Sequence, residues 1–169
     1  VDYCAKISAA KTSAEQLAAF EAAKEMYVSR QGFAEFIDFM KSCAANKPAL
    51  EGLVNYYTGL ARYLHMKYLE ETQNWDEYFG QGNDYRAQIT DSLAKALTVT
   101  TDKDPVHVYS RLIVWQFHRD QQDSFHEEAF AALRKSVAEY AKDAKDLTPI
   151  RTVADKFLAY EERAASKEV

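Results

Sequence analysis

Apolar residues recur at spacings of three and four along every long segment of this chain, and no segment alternates as a strand would. The series Leu17, Phe20, Ala23, Met26, Tyr27 is one such stripe, and Phe33, Phe36, Ile37, Met40, Cys43 is the next. Tyr85, Ile89, Leu93, Ala96, Leu97 and Phe125, Ala129, Phe130, Leu133, Val137, Tyr140 repeat the pattern further on. Each stripe marks one face of a helix. Five glycines and three prolines among 169 residues are too few for the turns of a sheet protein of this size. The class is all-α.

Start and stop signals divide the helices. Ser13 with Gln16 and Ser124 with Glu127 read as capping boxes, and Asn74 with Glu77 as a looser one. Asp104-Pro105 and Thr148-Pro149 set a capping side chain before proline, and Pro48 fits a first helical turn. Short polar breaks fall at 30–32, 45–47, 80–84, 100–103, 120–123 and 145–147. The implied helices are 2–10, 13–29, 33–45, 49–72 with an extension to 79, 84–99, 105–119, 124–144 and 149–165. Short connections make neighbours antiparallel.

The stretch Phe20–Pro48, FEAAKEMYVSRQGFAEFIDFMKSCAANKP, resembles a tetratricopeptide repeat. Phe20, Ala23 and Tyr27 match the aromatic, small and tyrosine positions of its first helix. Phe33, Met40, Cys43 and Pro48 match the second helix and closing proline, while Phe36 stands where the family has alanine. A weaker copy follows Pro48, with Gly59 near the small position, and a third runs from Pro105 to Pro149. The resemblance covers residues 13–165 and implies a right-handed stack of antiparallel hairpins, an α-solenoid of about three irregular repeats plus a terminal helix. Another hairpin repeat and a closed bundle are the alternatives. Residues 1–169 read as one domain, and the missing initiator Met reads as a mature or excised piece of a longer protein.

In such arrays the first helices line a concave groove that binds peptides. The resemblance therefore implies partner-binding roles for Asn55, Arg62 and Tyr63, and for Tyr109, Gln116 and Arg119 on the corresponding later helix. An Asn amide can pair with a peptide backbone, and Arg can grip a carboxylate through two hydrogen bonds. Tyr57, Leu60, Leu64 and Tyr68 share the face expected to be core, and Gly59 is expected to admit a neighbouring helix. Trp115 and Phe117 cannot both lie on a narrow stripe, so an exposed one would mark an interface.

The function expected is a non-catalytic scaffold that binds a protein or peptide. The alternative is a closed bundle that holds a small ligand or metal and acts as an enzyme. Neither a catalytic residue, a metal ligand set nor a cofactor motif is assigned. FHRDQQDSFHEE brings His118, Asp120, Asp123, His126 and Glu127 close in sequence, but a turn separates the histidines. GQGND has neither the lysine nor the spacing of a phosphate loop. The formal charge of -5 argues against nucleic acid as partner. No apolar run approaches the roughly 20 residues of a membrane span, so a soluble domain is expected, with self-association open and the compartment unassigned. Cys4 and Cys43 are too few for a disulfide framework and read as small buried side chains, with one disulfide as the minority reading.

Overall fold

The computed structural model describes residues 1–167, and all regular structure among them is helical. The chain divides into two compact units, Val1–Val99 and Thr100–Val169. The first holds α1 (Tyr3–Ala9), α2 (Ser13–Ser29), α3 (Phe33–Cys43), α4 (Glu51–Glu71) and α5 (Trp75–Val99). The second holds α6 (Pro105–Gln121), α7 (His126–Asp143) and α8 (Arg151–Lys167).

Two local devices recur in order along the chain. The turns after α2, α4 and α6 each place a glutamine in the left-handed region, Gln31, Gln73 and Gln122. Each turn closes with the same pair of backbone bonds. Gly32 N–H reaches Tyr27 O (2.8 Å) while Gln31 N–H reaches Val28 O (3.0 Å). Asn74 reaches Leu69 and Asp123 reaches His118 in the same way. This double closure satisfies the last carbonyls of a helix and usually employs glycine. The second device is proline. Pro48 opens a 3-10 turn leading into the next helix, Pro149 is the second residue of another that opens at Thr148, and Pro105 opens α6 directly. The hairpins α2–α3, α4–α5 and α6–α7 thus share one punctuation, glutamine inside and proline after.

In the first unit Phe20 and Phe36 are fully buried and meet Tyr57, with ring centroids 5.7 and 6.2 Å away. Phe36 also packs on Tyr27 at 5.7 Å, so the residue that departs from the tetratricopeptide pattern is a core ring. α4 and α5 form the most extensive pair, and Gly59 is why they approach so closely. A Cβ there would fall 2.7 Å from Leu93 Cγ and 3.4 Å from the Ile89 carbonyl. In the second unit Trp115, Leu133, Tyr140, Ile150, Val153 and Phe157 form the core.

Several sequence expectations need correction. Cys4 and Cys43 form a disulfide that ties α1 to α3, rather than sitting as two separate thiols. The expected break at 80–84 does not occur: α5 runs through Gly80 and Gly82, and the turn lies at Thr72–Asn74. Tertiary grips outweigh the glycine cost here, since the Tyr78 hydroxyl donates to Glu70 on α4 (3.2 Å). The cap of α2 is Thr12, whose oxygen accepts from Glu15 N–H, not Ser13. Before α7 it is Asp123, not Ser124, whose side chain takes the exposed backbone donor, from Phe125. Trp115 and Phe117 are both buried, because α6 is covered around most of its circumference.

Candidate functional site

The end of α3, the Ala44–Lys47 turn and the start of α4 enclose an open groove of about 320 Å³. Pro48 opens the 3-10 turn that leads into α4, and it lines the groove. Met40, Ala44, Pro48 and Val54 supply apolar wall. Lys41, Asn46, Lys47, Glu51 and Asn55 supply polar groups along it. Lys47 Nζ lies 3.1 Å from Ser8 Oγ, so α1 fixes one edge.

Asn55 lines this groove from the α4 side. Its amide nitrogen donates to the Glu51 carbonyl at 2.9 Å, which turns the side-chain carbonyl away from that bond.

Arg62 and Tyr63 have other employment. Arg62 Nε donates to Gln88 Oε1 at 2.5 Å, Nη1 donates to His65 Nδ1 at 3.0 Å, and the guanidinium lies 4.5 Å from the Tyr85 ring centre. On the far side of His65, Nε2 is 2.8 Å from Glu77, which also accepts from Tyr85 O–H. Phe33 stacks on the imidazole at 4.7 Å. This is a clamp between α4 and α5, not a groove. With Nδ1 accepting and Nε2–H donating, the neutral ring satisfies both neighbours. Burial is the main force pushing His65 below its ordinary value, with Glu77 opposing and Arg62 assisting. Tyr63 is buried, with the Lys67 ammonium 5.6 Å from its ring centre.

In the second unit the Tyr109 hydroxyl donates to the Pro149 carbonyl and anchors the turn before α8. The Arg119 guanidinium lies 4.8 Å from the Trp115 ring and 3.5 Å from Asp120. Gln116 is half-buried. Of the six residues singled out from sequence, Asn55 borders the open groove of the first unit, whereas Arg62, Tyr63, Tyr109 and Arg119 make internal contacts.

His118 Nδ1 pairs with Asp123 at 2.8 Å and His126 Nδ1 with the Asp123 carbonyl at 2.6 Å, closing the α6–α7 turn. Ser136 Oγ donates to Asp102 (3.1 Å), and His107 Nε2 lies 3.5 Å from the same carboxylate. Serine and imidazole thus converge on one carboxylate, which accepts the hydrogen bond of the hydroxyl. Among the described residues no group of three or more His, Cys, Asp or Glu is placed to hold a metal, and no helix is long and apolar enough to cross a membrane.

What sequence reasoning missed is the groove's α3 side, Met40 and Lys41, and the exposed ring cluster Trp75, Tyr78 and Phe79. The ring cluster is legible as a shared face, since Trp75, Tyr78 and Phe79 stand at i, i+3 and i+4 of one helix. Comparison with protein-family models, curated proteins and solved structures returns no match.

Proposed function

We propose that this chain is a non-catalytic scaffold of three tetratricopeptide-like hairpins and a terminal helix, holding an extended segment of a partner protein. The observation that carries the reading is the open groove at Asn55, with apolar walls and polar groups from both α3 and α4. Such a mixture suits a peptide: apolar side chains enter the gap, and amides and ammonium groups meet the backbone and any carboxylate. The shared punctuation by Gln31, Gln73, Gln122 and Pro48, Pro105, Pro149 supports a repeat origin for the hairpins.

Site-specific photo-crosslinking tests this. A benzophenone side chain at position 55 should capture a discrete partner from source extract, and one at exposed Thr90 on α5 should not. Val54→Asp, which places a charge on the groove wall, should abolish capture while leaving the helical circular dichroism unchanged. Equal capture from both positions, or capture that survives Val54→Asp, places binding elsewhere and defeats the groove reading.

A further inference from the structure

The first turn of α5 carries a second surface that shares no residue with the groove. Trp75 is 45% exposed and Phe79 73% exposed, with Tyr78 half-buried between them. The three rings touch: Trp75–Tyr78 centroids are 5.4 Å apart, Tyr78–Phe79 5.2 Å and Trp75–Phe79 6.0 Å. The Tyr78 hydroxyl is fixed by Glu70. The cluster is thus assembled in advance, which lowers the ordering cost of any contact it makes. Aromatic anchors of this kind dominate interface energetics.

Two features define what fits there. The first is charge. Residues 67–86 contain Glu70, Glu71, Asp76, Glu77 and Asp84 against Lys67 and Arg86. Glu70 and Glu77 are engaged by Tyr78, Tyr85 and His65, while Glu71 and Asp76 are exposed and have no ion-pair partner among the described residues. The second is Gly80, next to Phe79. It is exposed, and a Cβ there would meet nothing within 4 Å. Packing therefore gives no reason for a residue that costs a helix interior about 1 kcal/mol relative to alanine. It leaves bare backbone beside the rings, where another element can lie close.

We infer that this surface docks a basic amphipathic helix of a partner protein, its apolar face on Trp75 and Phe79 and its lysines or arginines against Glu71 and Asp76. The same carboxylates oppose an anionic membrane. They also oppose a symmetric contact between two copies, which would set acidic rim against acidic rim.

Fluorescence reads the contact directly, because Trp75 is exposed and Trp115 is 1% exposed. The probes are an amphipathic helix of about 18 residues, or five turns, built from Leu and Lys, and its Leu/Glu counterpart. The Leu/Lys peptide should shift the emission to the blue and protect Trp75 from acrylamide, saturably. The Leu/Glu peptide should do neither. Phe79→Ser should weaken binding about tenfold or more at an unchanged melting temperature, and Glu71→Lys with Asp76→Lys should reverse the charge preference. Equal response to both peptides, or full affinity in Phe79→Ser, overturns the assignment. Binding of phosphatidylserine vesicles abolished by Phe79→Ser, or self-association abolished by it, assigns the surface to a different occupant and overturns it equally.

Discussion

Both units bury packed rings, but Val1–Val99 adds a disulfide, a glycine contact and the Arg62–His65–Glu77 clamp, whereas Thr100–Val169 relies on its nest of rings. In the second unit Trp115 packs on Phe130 (5.3 Å) and edge-on to Tyr160 (4.8 Å), and Phe130 stacks on Phe157 (4.6 Å). Arg134 lies over both phenylalanines and pairs with Glu161, covering the nest from outside. The first unit thus adds directed contacts that single substitutions can cut, and the second is most sensitive to loss of ring volume.

The largest effect should therefore come from emptying the nest. Trp115→Ala removes a ring that is 1% exposed and should cost about 3–5 kcal/mol in denaturant unfolding. Trp115→Phe should cost far less than its lost volume suggests. The indole N–H has no hydrogen-bond partner among the described residues, and removing a buried unsatisfied donor returns about 1–3 kcal/mol. Equal losses in the two variants would show that the N–H is satisfied and that the contrast with the first unit is overdrawn.

Cutting the covalent tie comes next. Cys4 and Cys43 close a loop with a sequence separation of 39, and a link of that span contributes about 2–4 kcal/mol. Reduction by dithiothreitol should raise hydrogen exchange in α1 and at the end of α3 while α6 to α8 keep their protection. Loss of protection in α6 to α8 would mean that the units do not stabilise independently.

The two exposed-versus-buried glycines of the α4–α5 hairpin should respond with opposite signs. Gly59→Ala drives a Cβ into Leu93, itself fully buried, and should cost about 1–2 kcal/mol, overpacking outweighing the gain in helix propensity. Gly80→Ala meets nothing and should stabilise by about 0.5–1 kcal/mol. In a Leu93→Ala background the Gly59→Ala penalty should vanish. If it persists, the backbone at Ile89 rather than the Leu93 side chain sets the limit.

These glycines also show what was legible. The helical class, the core faces of α2 and α3, and the close approach at Gly59 follow from periodicity and small size, which are local properties. The 80–84 break does not occur because the bonds of Tyr78 to Glu70 and of Tyr85 to Glu77 hold the helix across its two glycines, and these are invisible in one dimension. The true turn hides behind Gln73, a residue with no turn signature that enters the left-handed region because the double closure fixes it there. Glu21 and Lys24 likewise make contacts that periodicity does not show. In the fold Glu21 accepts from the Tyr57 hydroxyl at 2.6 Å and Lys24 bonds to Glu21 and Glu25. Asn55 and Arg62 share a face in helical register, yet Asn55 lines the groove and Arg62 turns to Gln88, because α5 supplies partners that register cannot show.

The smallest expected effect compares one histidine from each unit. His65 faces Glu77, Arg62, Tyr85 and Phe33, and His107 faces Thr100 and Asp102 with Arg111 nearby. Burial is the largest cause that lowers both below the ordinary 6.5, against the pull of the neighbouring carboxylates. The unfolded chain then binds more protons than the folded one as pH falls through 6.5, so stability drops on acidification and recovers above it. His65→Gln and His107→Gln should each flatten part of the slope between about pH 7.5 and 5, the window in which the unfolded imidazole titrates. The His65 variant should act on hydrogen exchange in α4 and α5, and the His107 variant on α6. A slope that steepens in either variant would mean that the imidazole is charged in the folded state and paired to its carboxylate, which would make the clamp at His65 an ion pair instead of a neutral bridge.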